Sequence, residues 1–341
     1  MTAEGRHLAD GRKAEDSSTS ATDPHAIEEG VHGLVDVARM YYEQELSQQE
    51  IASRLGKSRP TISRMLSEAR RVGIVRIDVC APEERSPSLE RSLTDRFGLH
   101  EVQVQVLKRG DVDPADTLGQ AAASYLQAIM RDGLTVGVSN GRALAATARY
   151  LRPERSLQLT VVQIIGALGN DNPRIDGPDI ARSLADAYDT DCRFLHVPLL
   201  IESTEVKQTL LRDRNISQTL RMGAHADVAI VGVGTLDPAD RSPVFEGFLS
   251  ATEIAQLRSA GAVGHVCGEF YTKTGDRARV DINERTIAIG LNALRKIPTV
   301  LAVAGGASKA EAILGAIRGR YFNTLITDDR AAVRMLEMDA R

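Results

Sequence analysis

The sequence predicts an α/β fold in two parts: an N-terminal helix-turn-helix domain, then a Rossmann-like, mostly parallel α/β domain. Three observations carry this. Apolar residues recur with helical spacing from Leu34, through Val37, Ala38 and Tyr41, to about Gly73. Beyond about Ser88 come apolar runs of strand length: "LTVGV" (134–138), "LTVVQII" (159–165), "DVAIVGVG" (227–234), "TVLAVAGG" (299–306) and "NTLITD" (323–328). Most of these runs are followed by a helical pattern opened by small or capping residues. Strands that are apolar along their whole length and alternate with helices imply a parallel sheet covered on both faces.

Residues 1–30 have almost no apolar content and read as a mobile tail. The helical domain is expected over 31–80, a short strand and proline-bearing linker around "GIVRIDVCAPEERSPS" with the linker at 81–87, and the second domain over 88–341. Two helix starts have capping-box spacing, Ser250–Glu253 and Ser308–Glu311. A net charge of −4 gives no global attraction to nucleic acid or to anionic membrane, so any such affinity must be local. The three cysteines, Cys80, Cys192 and Cys267, are scattered, which favours reduced thiols over a disulfide framework or a zinc site. No apolar run is long enough to span a bilayer and no signal peptide is evident, so the expectation is a soluble, cytoplasmic chain.

Local charge is concentrated in "SQQEIASRLGKSRPTISRMLSEARRVG" (47–73). On a helix over 58–73, Ile62, Met65, Leu66 and Ala69 fall on one side. Pro60, Ser63, Arg64, Ser67, Arg70 and Arg71 fall on the other. Ile51, Ala52 and Leu55 line a shorter helix that begins after Ser47 and ends at Gly56, a residue suited to a left-handed turn. Pro60 is tolerated in the first turn, where its missing N–H has no partner to lose. Between Ile51 and Arg76 stand seven basic residues and one acid, Glu68. Neutralising DNA phosphates requires such one-sided basicity, although a solvated hairpin could also carry it. The candidate DNA contacts are Gln48, Lys57, Ser58, Arg59, Pro60, Thr61, Ser63 and Arg64, with the second helix entering the major groove by its N-terminal end.

Residues 40–79, "MYYEQELSQQEIASRLGKSRPTISRMLSEARRVGIVRIDV", resemble the DNA-binding domain of SorC/DeoR-type bacterial transcriptional regulators. The resemblance continues through "LTVGVSNGRAL", "VVQIIGALG", "ADVAIVGVGTLDP", "GFLSATE", "AGAVGHVCGEF" and "AGGASKAEAILGAI", and spans about residues 33–338. It implies an effector domain similar to glucosamine-6-phosphate deaminase and ribose-5-phosphate isomerase. It further implies a dimer or tetramer on double-stranded operator DNA, with a small sugar, sugar phosphate or polyol as effector and no cofactor or metal.

The candidate effector contacts lie at strand ends. Gly137, Ser139, Asn140 and Gly141 let the backbone pass close to a ligand, and the N–H groups opening the helix at Arg142 attract an anion. Such a loop alone is a weak signal; similarity to the family's glycine–serine loop strengthens it. Lys309 falls in a first helical turn, where the macrodipole disfavours a cation and an anionic ligand offsets the cost, unless Glu311 and solvent do so instead. The resemblance places this lysine among the contacts to a ligand phosphate. Gly232, Gly234 and Asp237 suit a sugar hydroxyl, although Asp237 could merely open the turn before Pro238. Gln163 at a strand end, and Glu246 and Glu269 in loops, are further polar candidates; His196, before Pro198, reads as structural.

An isomerase or deaminase with a DNA-binding arm is the competing class. It needs a carboxylate or histidine to move a proton; similarity to the deaminases implies a histidine in the loop after the glycine-rich strand, and the residues there read Thr235-Leu236, with no histidine until His265. A nucleic-acid-binding structural protein without an effector is the other alternative, and it would leave the glycine-rich strand ends unexplained. The expectation is a regulator, not an enzyme.

Overall fold

The computed structural model describes residues 24–75, 84–108, 114–169, 173–237 and 249–340. The chain divides into two compact units, Met1–Ala81 and Pro82–Arg341. The expected tail lies largely outside the described residues, and so do Cys80, Glu246 and most of the short strand expected after Gly73.

In the first unit, α1 (Pro24–Tyr42), α2 (Gln48–Leu55) and α3 (Arg59–Arg71) enclose a small core of Val37, Ile51, Ala52, Ile62 and Leu66. Helix α1 begins upstream of the start expected at residue 31. Ser47 opens α2 through a reciprocal capping box with Glu50: the Glu50 N–H donates to Ser47 Oγ (3.3 Å) and the Ser47 N–H to Glu50 Oε2 (2.8 Å). Gly56 ends the helix at φ 61°, where a side chain would be strained.

The second unit runs α4 (Pro87–Phe97), β1 (Glu101–Gln105), α5 (Ala115–Ile129), β2 (Thr135–Val138), α6 (Arg142–Tyr150), β3 (Thr160–Gln163), α7 (Gly177–Tyr188) and β4 (Asp191–Arg193). It continues with α8 (Thr204–Leu211), α9 (Arg214–Ala224), β5 (Val228–Gly232), β6 (Gly234–Thr235), α10 (Ala251–Ser259), β7 (Ala262–Val266) and β8 (Glu269–Thr272). It closes with α11 (Asp281–Arg285), α12 (Leu291–Leu294), β9 (Thr299–Val303), α13 (Ala310–Arg318), β10 (Thr324–Asp328) and α14 (Asp329–Asp339). Seven strands form one parallel sheet in the order β1-β10-β9-β5-β2-β3-β4, and β6-β7-β8 form a small antiparallel sheet. No helix among the described residues is long and apolar enough to cross a membrane, and no group of His, Cys, Asp or Glu there could hold a metal ion.

Successive strand residues feed opposite cores. Val228 and Ile230 of β5 pack with Leu118, Leu126, Leu144 and Ile180 of α5, α6 and α7, while Ala229 and Val231 pack with Leu93, Ile313 and Met335 of α4, α13 and α14. Burial on both faces is why these strands read as unbroken apolar runs. The capping box expected at Ser250–Glu253 forms on α10. The one expected at Ser308–Glu311 does not. Gly306 at φ 95° leads into a 3-10 turn over Ala307–Lys309 that delays the start of α13 to Ala310, so Ser308 stands outside the helix it was expected to cap.

Helices α5 and α6 touch at Gly119, where a Cβ would sit 2.4 Å from Ala146 Cβ and 2.8 Å from the Ala146 carbonyl carbon. In an open helix Gly→Ala stabilises by about 1 kcal/mol. Here overpacking against backbone outweighs that gain, and Gly119→Ala is expected to destabilise the unit by about 1–3 kcal/mol. Urea unfolding of mutant and wild type checks the sign.

Candidate functional site

Two surfaces carry the candidate chemistry, one in each unit. In the first, Ser58 caps α3: its Oγ accepts the Thr61 N–H (3.3 Å) and bonds the Thr61 hydroxyl (2.8 Å). Both hydroxyls are thus engaged in starting the helix, and Thr61 is half-buried. Lys57, Arg59, Pro60, Ser63 and Arg64 are exposed, and Gln48, in the first turn of α2, is half-exposed. Arg71 Nε donates to Glu68 Oε2 (2.7 Å), and the guanidinium holds the Glu68 carboxyl below its usual range. Arg54, Lys57, Arg59 and Arg64, at the turn and the N-terminal half of α3, and Arg70 toward its far end form no ion pair among the described residues.

In the second unit, the chain adds strands in one direction from β2 through β3 to β4, and in the other from β5 through β9 to β10. A crevice opens where those directions part, at the carboxyl ends of β2, β5 and β9. It is a cavity of about 680 Å³. Asn140, Gly141 and Arg142 follow β2, Gly232 ends β5 with Val233 and Gly234 after it, and Gly305 to Lys309 follow β9; all are on its wall. Helices α5, α6 and α13 begin at this wall, and the residues preceding α6 and α13 form no side-chain cap. Their N-termini turn the positive ends of three helix dipoles toward one space. Arg142, Lys309 and Arg330 line the cavity, and no Asp or Glu is among its described lining residues.

The floor is built by packing. Gly234 pairs across the small sheet with His265, and a Cβ at Gly234 would lie 1.7 Å from the imidazole Nε2, so only glycine leaves room for the ring. Burial, and then the Lys309 charge, pull the His265 pKa down to about 3, so the ring is neutral at pH 7. Ser139 is buried; its hydroxyl donates to Asn140 Oδ1 (3.4 Å) and accepts from Cys267 Sγ (3.7 Å). Asn140 Nδ2 is buried and finds no partner among the described residues, a donor held in the cavity wall. Behind the wall, Asp328 Oδ2 accepts the Gly306 N–H (2.6 Å), and a Cβ at Gly305 would lie 2.1 Å from that oxygen. Burial raises the Asp328 pKa, against the pull of the backbone N–H groups of Ala331 and Gly306.

Several expected contacts stand elsewhere. Gly137 lies inside β2, where a Cβ would meet Ile164 Cγ2 at 2.8 Å; the glycine serves packing and is off the cavity wall. Gln163 spends both ends of its amide on backbone, Nε2 donating to the Ile165 carbonyl (2.7 Å) and Oε1 accepting the Leu195 N–H (3.0 Å). Glu269 is on strand β8 rather than in a loop, and its carboxylate accepts from Arg277 Nε (3.1 Å) and the Leu291 N–H (2.8 Å). Asp237 is off the wall, its N–H donating to Thr235 Oγ1 (3.1 Å). His196 is exposed beside Phe194, away from this cavity. Cys192 and Cys267 are free thiols, raised by burial to about 11 and about 12. His265, Arg330 and Leu107 are wall residues that the candidate contacts did not include. The argument that no histidine stands near the Gly234 strand end is corrected by the β6–β7 pairing, which brings one there from thirty residues away.

The chain matches the Sugar-bind family, a sugar-binding domain, over residues 82–337, and Sigma-70 region 4 over residues 36–72. It is 33% identical over 300 residues to the deoxyribonucleoside regulator of Bacillus subtilis, covering 87% of this chain and 95% of that one. It is 31% identical over 306 residues to the transcriptional regulator LsrR of an Enterobacter species, covering 89% and 92%. Among solved structures, the full-length sorbitol operon regulator SorC of Klebsiella pneumoniae superposes with a TM-score of 0.69 at 28% identity, covering 90% of this chain and 99% of that one.

The basic edge of α3 generates a direct expectation. Arg64→Ala weakens sequence-specific DNA binding by about 1–3 kcal/mol if the side chain reads a base, or lowers the salt slope by about one if it holds a phosphate. Binding isotherms at several salt concentrations distinguish the two, and an isotherm identical to wild type at every salt concentration rules out both roles.

Proposed function

Since the chain belongs to the family of SorC/DeoR-type sugar-binding transcriptional regulators, we propose that α3 reads operator DNA and that the cavity at the strand ends binds a phosphorylated sugar controlling that DNA binding. One observation carries the choice of ligand: Arg142, Lys309 and Arg330 and the N-termini of α5, α6 and α13 converge on one cavity. Convergent cationic side chains and helix N-termini form a site that attracts an anion. A phosphorylated sugar offers hydroxyls to Asn140 Nδ2 and an anion to Arg142, Lys309 and Arg330, whereas a free polyol offers the hydroxyls alone. The phosphate is assigned to Lys309 and the start of α13, with Arg142 and Arg330 beside it, and the sugar hydroxyls to Asn140, Gly141, Gly232, Gly234 and His265.

The reading is of a regulator rather than a catalyst. Moving a proton between sugar carbons calls for a base poised near operating pH. His265 is the histidine at hand, and its low pKa makes it a weak base. Operator binding calls for a homo-oligomer, a dimer or tetramer on a two-fold symmetric site, because one recognition helix reads too few base pairs to select a site in a genome. The reading also places the chain in the cytoplasm, where operator DNA is.

A thermal-shift panel tests the assignment: ribose 5-phosphate, glucose 6-phosphate and sorbitol 6-phosphate against ribose, glucose and sorbitol. A bound member raises apparent stability by mass action, and the account expects phosphorylated members only to do so. Lys309→Ala is expected to weaken binding of the best sugar phosphate by about 1.5–3 kcal/mol, roughly 10- to 100-fold, while binding DNA like wild type in its absence. A free sugar or polyol binding as tightly as its phosphate, with affinity unchanged in Lys309→Ala, would overturn the phosphate site.

A further inference from the structure

Strand β1 is the edge of the seven-stranded sheet, and the chain covers that edge with the segment through which it enters the unit. The Ser86 N–H donates to the Val104 carbonyl (2.9 Å) and the Val106 N–H to the Glu84 carbonyl (2.6 Å), so Arg85 and Gln105 face each other in an antiparallel bridge. Glu90 of α4 clamps the bridge. Its carboxylate accepts Arg85 Nε (2.7 Å) and Nη2 (3.0 Å), and its Oε1 also accepts the Val104 N–H (3.0 Å). In sequence, only residues 76–83 separate this bridge from Val75 of the DNA-binding unit.

The same strand runs on to the cavity. Leu107, two residues past Gln105, is a wall residue, and its N–H donates to Asp329 Oδ1 (3.2 Å). The adjacent Asp328 holds the Gly306 N–H of the cavity turn, and Arg330 is on the wall. A ligand touching Leu107, Gly306 and Arg330 therefore grips the carboxyl ends of β1 and β10 together. Between the bridge and the wall lies a poorly satisfied junction: both amide atoms of Gln105 and the hydroxyl of Thr327 are buried with no partner among the described residues. Buried polar atoms without partners favour any small rearrangement that supplies them.

We propose that the strand Glu84–Ser86 is a latch: a filled cavity holds it on the edge of β1, an empty one lets it release, and occupancy thereby reaches the linker to the DNA-binding unit. The proposal rests on the assignment of the cavity as the effector site. It works because a ligand that cross-links the ends of β1 and β10 binds the latched arrangement better and shifts the population toward it.

A disulfide tests it without any ligand. Arg85 and Gln105 are a non-hydrogen-bonded antiparallel pair, a geometry with Cα atoms about 4.5 Å apart and within disulfide range. In the full-length Arg85→Cys/Gln105→Cys protein, the oxidised form is latched permanently and the reduced form is its own control. The DNA is the fragment that wild type selects from a random-sequence library. Oxidation is expected to change the Kd for that fragment on the order of 5- to 150-fold, the usual range of allosteric coupling. Ribose 5-phosphate, glucose 6-phosphate and sorbitol 6-phosphate are expected to change the oxidised form no further. Glu90→Gln, which keeps an acceptor for Val104 but loses the ion pair with Arg85, is expected to move Kd in the opposite direction from oxidation. Equal Kd for oxidised and reduced protein, or a Glu90→Gln protein identical to wild type, overturns the latch while leaving the effector site standing. A chain that selects no DNA overturns both.

Discussion

The reversal of strand order between β2 and β5 is the constraint on which the rest of the second unit depends. Because the chain builds outward in both directions from that pair, the connections leaving β2 and β9 diverge, with α6 on one face of the sheet and α13 on the other. A parallel sheet cannot close such a gap with its own backbone, and the gap lies at the strands' carboxyl ends, where the following helices begin. Positive helix ends and a crevice thus arise together from topology. What the sequence adds is restraint: glycine at Gly234 and Gly305 where any Cβ would strike His265 or Asp328, and no side-chain cap to occupy the N–H groups of α6 and α13.

The first unit obeys a simpler constraint. Three short helices enclose only a handful of core side chains, so their starts and stops must be specified locally. Ser47 with Glu50, Gly56, and Ser58 with Thr61 do this within a stretch of fifteen residues. A net-acidic chain nevertheless presents a local basic edge because Glu68 neutralises Arg71 at the far end of α3 and leaves Arg59 and Arg64 at the near end.

The five central strands were legible in the sequence because burial on both faces makes them continuous apolar runs, and the helix-turn-helix because its caps and turn are local signals. What escaped was pairing at a distance. Strand β1, "EVQVQ", alternates Val with Gln, and both glutamines are buried, so its polarity hides a covered edge strand. Strands β4 and β6 are two or three residues long and exist only through their partners. His265 was passed over because nothing local tells that it will face Gly234. Gln163 and Glu269 failed for the converse reason: each looks available in sequence, and each is consumed by backbone or by Arg277 once the chain folds. Sequence position fixed neither the polar side chains that satisfy the fold nor those left over for a ligand; hydrogen-bond accounting did.

If sugar-phosphate binding in the cavity controls DNA binding in the other unit, the two affinities are linked by one coupling free energy and must change by the same factor. Calorimetric titration of free protein and of operator-bound protein with the most stabilising sugar phosphate measures that factor directly. The account predicts two different affinities, their ratio equal to the ratio by which the same compound changes operator affinity. Identical affinities for free and DNA-bound protein would contradict it.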